Sequence, residues 1–478
     1  MKIAKYLIVF TLLFGACTDF GDINVDPDVS PTANPREVLT SAQAFSAWVL
    51  EGQLNDRAAL WAQYWTWGPG VALGDNERYL SQPADFNNAW TRAYANALAD
   101  LKFLEKSSDK TYNGISKIMQ ANLFQILVDH FGDIPFTEAI KGEIVDGANF
   151  APKYDDDKAV YAALIPMINA GIADLKAGST TVGSADLMFG GDVSKWIKFG
   201  NSLKLRILMR QSVTGDQAAI GQAVKDLVAQ GNFISSSTDI AQMAFSGDKG
   251  SENPMFANFE RSLGNFYVAS NSSIKALAGD PRIDKIYSKA KTTNTHVGID
   301  QGNIDLLPFT VVGNDFSRVT ELGYRKDAPV IFLSDWEVWF LRAEAALKYG
   351  TSDNDQTAFA NAITSSCAYM GATGAQDFID GLEYSIKTPT DKQKLIVTQK
   401  WISMNGLQEA EAWAEARRHD VPETKIFSSA NGLWTTPTKS ALGPQVFPSI
   451  YLYPESEQSF NPNAPAQRKL TEKVFWDN

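Results

Sequence analysis

The stretch from Trp65 to Tyr79 carries Trp67, Gly68, Gly70, Gly74, Asp75, Asn76 and Arg78, so indole and phenol rings stand beside carboxylate, amide and guanidinium groups on one glycine-rich segment. That mixture suits a neutral glycan, whose CH faces stack on Trp and Tyr and whose hydroxyls need Asn, Asp, Gln or Arg. Trp67, Asp75, Asn76, Arg78 and Tyr79 are therefore the first candidate ligand-binding residues, and Tyr324 and Trp434, on distant loops, the second. For any single ring the plainer reading is a large apolar group that tacks its loop to the core.

Other chemistry is thinly represented. Glycoside hydrolysis needs two carboxylates facing a cleft, one with a raised pKa. Glu337, Glu344, Glu409, Glu411 and Glu415 all fall on helical patterns near Arg342, Arg417 and Arg418, where ion pairing is the simpler role. Glu411 and Glu415 form a like-charged i, i+4 pair that calls for a basic neighbour such as Arg417 or Arg418. His130, His296 and His419 are the only histidines, few for acid–base work. There is no His/Cys cluster of zinc type and no phosphate-cradling glycine loop. Asp22-x-Asn24-x-Asp26 has calcium-loop spacing, but Pro27 stands where the turn glycine belongs and Ala33 where the bidentate glutamate belongs. No catalysis, metal or cofactor is expected.

Helical period dominates the elements that would carry these groups. Tyr161, Leu164, Ile165, Ile168, Ile172 and Leu175 form one apolar stripe, with Asp155, Asp156 and Asp157 placed to cap it. Ile115, Ile118, Met119, Leu123, Ile126, Leu127 and Phe131 form a second, which Gly132 and Pro135 end. Trp196 to Ile207 and Trp336 to Ala343 give two more, and 391–404 and 406–419 a further pair. Small residues beside large ones, such as Ala410, Ala414 and Ala416 around Trp413, suit closely packed antiparallel helices of tetratricopeptide type. Long Gly-, Pro-, Asn- and Ser-rich stretches at 66–85, 233–262, 291–330 and 420–465 separate them, and loops of that length are usually functional.

The N-terminus reads as an export signal: Lys2 and Lys5, an apolar run from Tyr6 to Phe14, then Leu13-Phe14-Gly15-Ala16-Cys17. A cysteine directly after the small residues resembles a bacterial lipobox, which implies removal of residues 1–16 and acylation, including palmitate, at Cys17. The apolar run is too short to span a bilayer, whereas two or more acyl chains anchor a soluble body. Residues 17–36, rich in Asp and Pro, read as a flexible tether, and 37–478 as a single domain. No later segment reads as a membrane span.

With 43 basic and 55 acidic residues the chain has a formal charge of −12. Loss of Lys2 and Lys5 takes it from −12 to −14, which argues against nucleic acid as a partner. Cys367 has no second cysteine in the body to pair with and reads as a small buried apolar residue.

Several segments resemble the SusD/RagB family of outer-membrane lipoproteins, SusD-like branch. Gln120 to Ala139, containing Val-Asp129-His130-Phe-Gly-Asp133-Ile-Pro-Phe, is similar to that family's helix and "GDIPY" turn. Trp196-x-x-Phe-Gly-Asn-Ser-Leu-Lys-Leu-Arg206-x-x-Met-Arg210, Trp336-Glu337-Val to Ala346, Gln399-Lys-Trp, Glu411 to Arg418 and Tyr453-Pro-Glu follow in the family's order. The resemblance implies a mainly α fold of tetratricopeptide-like helix pairs forming a superhelical scaffold, with variable loops packed on one side. It further implies a surface-exposed lid, lipid-anchored to the outer membrane, that hands oligosaccharides to a SusC-like, TonB-dependent β-barrel transporter. A peptide ligand, as in the RagB branch, and a surface glycosidase are the alternatives.

Overall fold

Each apolar stripe becomes a helix in the computed structural model, which describes residues 33–70, 74–142, 149–261, 266–308, 310–320, 322, 324–420, 425–428 and 432–477. Cys17, the signal and most of the tether lie outside these residues. The principal helices are α1 Pro35–Val49, α2 Asn55–Trp61, α3 Ala99–Glu105, α4 Lys110–Phe131, α5 Asp157–Ala177, α6 Val193–Arg210, α7 Gln217–Gln230, α8 Pro254–Arg261, α9 Asp335–Tyr349, α10 Asp355–Met370, α11 Pro389–Met404 and α12 Glu409–Arg418. A π-helical turn, Leu50–Leu54, joins α1 to α2.

Helices pair with their chain neighbours as hairpins: α4 with α5, α6 with α7, α9 with α10, and α11 with α12. This is the tetratricopeptide-like scaffold that the sequence implied. The α4–α5 crossing is tight because Gly114 and Gly171 meet there, and a Cβ on either would strike the opposite backbone. Asp156, the middle of three acids, caps α5 by accepting from Ala159 N, while Asp155 accepts from Phe136 N and Thr137 N of the turn after α4. One sequence expectation needs correction: α5 does reach the length and mean hydropathy, 1.2, of a membrane span. Val160, Tyr161, Leu164, Ile168 and Leu175 are nonetheless buried on the neighbouring helices, as in the core helix of a globular protein.

The motif residues converge on a buried ionic web that ties α4, α6, α9, α11 and α12 together. Arg206 donates to both oxygens of Glu337 at 2.6 and 2.7 Å. Arg210 pairs with Glu411, Glu415 and, at 3.3 Å, Asp129. Arg418 chelates Glu344 at 2.8 and 2.7 Å and Glu415 at 3.0 and 2.6 Å, and Lys400 reaches Glu415 at 2.7 Å. The basic neighbour expected for the Glu411–Glu415 pair is thus Arg210 for both, with Arg418 added at Glu415. Burial alone would push Glu344 up, but Arg418 and His419 overcome it and hold the carboxyl well below its ordinary range. Glu415 is likewise held low against burial, by Arg418, Lys400 and Arg210. Cys367 is buried within α10, where burial pushes its thiol up.

Strands are few among the described residues. β1 Trp65–Trp67 pairs antiparallel with β3 Tyr267–Ala269, and β2 Ala241–Met243 with β4 Val330–Leu333. The segment from 266 to 330 is bolted to the scaffold by Arg282, which is fully buried. Its guanidinium holds Asp280 and reaches Ser366 of α10 together with Gln399 and Ser403 of α11.

Candidate functional site

The candidate loop begins where β1 ends and is pinned before it reaches solvent. Trp67 lies against Tyr267 of β3 with ring centroids 4.7 Å apart. Gly74 passes over the edge of that indole, where any Cβ would collide with Trp67 Nε1. Trp61 Nε1 of α2 donates to the Asn76 carbonyl at 2.9 Å, and Leu80 N to that of Asp75 at 2.9 Å. Tyr79 takes a left-handed φ of 62°, rare for an aromatic residue, and turns its ring edge-on to Trp61.

Two more loops close on the first. Ala441 N donates to the Arg78 carbonyl at 2.9 Å, bringing in 434–445. Thr435 is held from both sides by Gln63, at 2.8 and 2.9 Å. The 297–307 loop joins through Thr438 on Asn303 and through Lys439 on Asp305 at 2.5 Å. The outer edge of this three-loop cluster offers carboxylates, amides, a guanidinium and an ammonium, flanked by the exposed Leu80 and Leu306. Such an edge can exchange hydrogen bonds with hydroxyls while leaving apolar surface for CH faces.

Of the seven residues predicted from sequence, the structure gathers six here and divides them in two. Asp75, Asn76 and Arg78 reach solvent, Asp75 and Arg78 as an ion pair. Trp67, Tyr79 and Trp434 are only 8 %, 2 % and 4 % exposed. The expectation that these three rings present a stacking face is corrected for this conformation: they pack inward, and Trp434 sits between Phe427 and Phe447. Among the described residues, the buried indole nitrogens of Trp67 and Trp434 have no hydrogen-bond partner. Tyr324 lies on a separate turn, half-buried, its hydroxyl donating to Val319 O at 3.1 Å.

Beneath the loop lies a residue the sequence reading passed over. Glu77, between Asn76 and Arg78, is fully buried. It accepts from Thr66 Oγ1, from Gln301 Nε2 at 2.6 Å and from Trp67 N at 3.3 Å. Among the described residues it forms no ion pair, and burial pushes its carboxyl up to about 7. No sequence signal pointed to this, because an acid between Asn and Arg reads as surface.

The carboxylates weighed for hydrolysis lie elsewhere. Glu337, Glu344, Glu411 and Glu415 are consumed by the arginine web, and Glu409 is buried at the start of α12, raised by burial and by the nearby Glu51. The acidic groupings that approach metal spacing are filled by protein. Of Glu344, Glu415 and His419, both carboxylates are paired with Arg418, and Asp133 pairs with Arg468 at 2.9 Å beside the capping Asp156.

The molecule is a scaffold of helix hairpins that gathers polar loops at one edge, with an arginine-rich ionic web inside. The chain belongs to the SusD-like family: the family model described as "Starch-binding associating with outer membrane" matches residues 28–454. Among solved structures, a SusD homologue from Bacteroides uniformis is 21 % identical with a TM-score of 0.74, covering 92 % of this chain and 99 % of its own. A chitin-binding protein matches at 22 % identity and 0.76, over 93 % of this chain and 100 % of its own. A chitin-binding SusD homologue from Flavobacterium johnsoniae matches at 20 % and 0.74, over 92 % and 97 %. No curated protein matches the chain.

Proposed function

We propose that the chain is a cell-surface lipoprotein, anchored through Cys17, that binds neutral oligosaccharides and passes them to a SusC-like, TonB-dependent β-barrel transporter. The observation that carries this reading is the polar edge of Asp75, Asn76 and Arg78 on a three-loop cluster, in a family described as starch-binding and outer-membrane-associated. Ligand contact is assigned first to these three. Trp67, Tyr79, Trp434 and Tyr324 serve as the supports behind them, and a ring joins the contact only if the loop swings outward. The acidic surface disfavours polyanionic glycans. Binding without catalysis is the favoured reading, since Glu337, Glu344, Glu411 and Glu415 are spent on ion pairs.

Isothermal titration of the mature chain against maltoheptaose and chitohexaose tests it. Binding of either, weakened about tenfold by joint Asp75→Ala and Arg78→Ala substitution, is the expected result, a loss of about 1.4 kcal/mol. Binding of peptides but of neither glycan would move the protein to the RagB-like reading. Release of reducing ends would make it a hydrolase. For the anchor, Cys17→Ala should shed the protein from the cell surface and abolish uptake.

A further inference from the structure

Two loops and strand β1 meet at one fully buried carboxyl. Besides Glu77, Gln301 Nε2 reaches Leu60 O of α2 at 3.1 Å and Trp65 O of β1 at 3.0 Å, and Gly302 N reaches Thr66 Oγ1 at 3.4 Å. Gly302 in turn faces Pro437 of the third loop, where an added Cβ would come within 2.6 Å of the proline ring, and its φ of +66° favours glycine. Removing the Glu77 acceptor would leave the buried donors on Thr66 and Trp67 unsatisfied at once and would take from Gln301 Nε2 its shortest contact, the one that ties it to the 68–80 loop. We infer that Glu77 is a positioning residue for ligand binding, fastening the 68–80 loop to β1 and to the 297–307 loop so that Asp75, Asn76 and Arg78 stand as one fixed edge.

The fastening works through an uncharged acid. The titratable groups facing Glu77 are Tyr79 on its own loop and Tyr267 on β3, both neutral and pushed far up by burial. Asp56 lies beyond Tyr267, beside Arg57, which is itself engaged with Asp85. An ionised Glu77 would meet only neutral donors in a dry site, so proton loss favours a state in which the loop has opened and the carboxylate reaches water. With the closed carboxyl titrating at about 7 and an open one near the ordinary 4.5, the opening constant rises about tenfold per pH unit across that interval and then levels off.

This inference rests on the glycan-binding reading for its ligand but not for its test. Hydrogen exchange is followed on the mature chain, Glu77→Gln and Glu77→Ala from about pH 5 to about pH 7.5, with intrinsic rates divided out. Residues 66–70, 74–80 and 298–307 should lose protection with rising pH in the wild type, while Glu77→Gln, neutral and of the same shape, stays flat. Chitohexaose affinity should fall about tenfold in Glu77→Ala and stay within about twofold in Glu77→Gln. Flat protection in the wild type, an equal slope in Glu77→Gln, or equal loss of affinity in both variants would overturn the inference. If chitohexaose binds none of the three proteins, the glycan reading fails for that probe, and the exchange data still decide the role of Glu77.

Discussion

Acids are buried in two regions of this molecule under opposite rules. In the helical scaffold every buried glutamate of the ionic web meets an arginine or lysine, and the carboxyls of Glu344 and Glu415 are held low. Glu77 beneath the 68–80 loop, and Glu51 in the π-helical turn near Glu409, are buried without a cation among the described residues, and burial pushes them up to about 7 and about 8. The first region fixes helix positions with charge, through carboxyls such as Glu344 and Glu415 that are held ionised. The second is held by neutral hydrogen bonds and changes state where neutral pH begins. A scaffold needs permanence, and a ligand edge tolerates release.

The largest effect expected is in the scaffold. Arg418→Ala strands Glu344 in the interior, while Glu415 keeps Lys400 and Arg210, and leaving a buried charge uncompensated costs about 3–5 kcal/mol, read as a lower urea midpoint. A loss below about 1 kcal/mol would break the comparison at its stronger end. Trp67→Ala comes next: its buried ring makes the substitution cost about 3 kcal/mol or more in stability, so a drop in affinity in that variant would not by itself show ring–sugar contact.

The third prediction concerns pH. Glu77 has a folded pKa above its unfolded value of 4.5, so its contribution is complete below about pH 4.5 and lost as pH climbs to about 7. The difference in stability between wild type and Glu77→Gln should therefore shrink or reverse over that window, by at most about 3 kcal/mol. Glu344 and Glu415 have the opposite sign: their contribution is present above about pH 4.5 and disappears on acidification. Chemical denaturation across pH for Glu77→Gln and Glu344→Gln should show slopes of opposite direction, and slopes of one sign would erase the distinction. The smallest effect belongs to the exposed Asp75–Arg78 pair, where either alanine should move stability by less than about 0.5 kcal/mol while affecting affinity.

The scaffold was legible because amphipathic periodicity is a local signal. The stripes of α4, α5, α6 and α9 and the stops at Gly132 and Asn405–Gly406 correspond to observed elements. Helix α7 was not singled out. In the loops the same residue type serves two purposes, and the sequence does not distinguish them. Trp67 and Tyr79 had the composition of a ligand platform, yet their depth depends on Tyr267 and Trp61, one of them some 200 residues away. Glu77 was hidden for the opposite reason: flanked by Asn76 and Arg78 it looks like a solvated acid, and only its distant partner Gln301 makes it an internal one.

Arg282 has a consequence for how such a protein diversifies. Because its single guanidinium clamps the 266–330 segment to α10 and α11 from within, the outer turns of that segment are cantilevers built out from a fixed wall. Their tips can be lengthened, shortened or exchanged without the wall having to move, much as interchangeable tool heads share one mount.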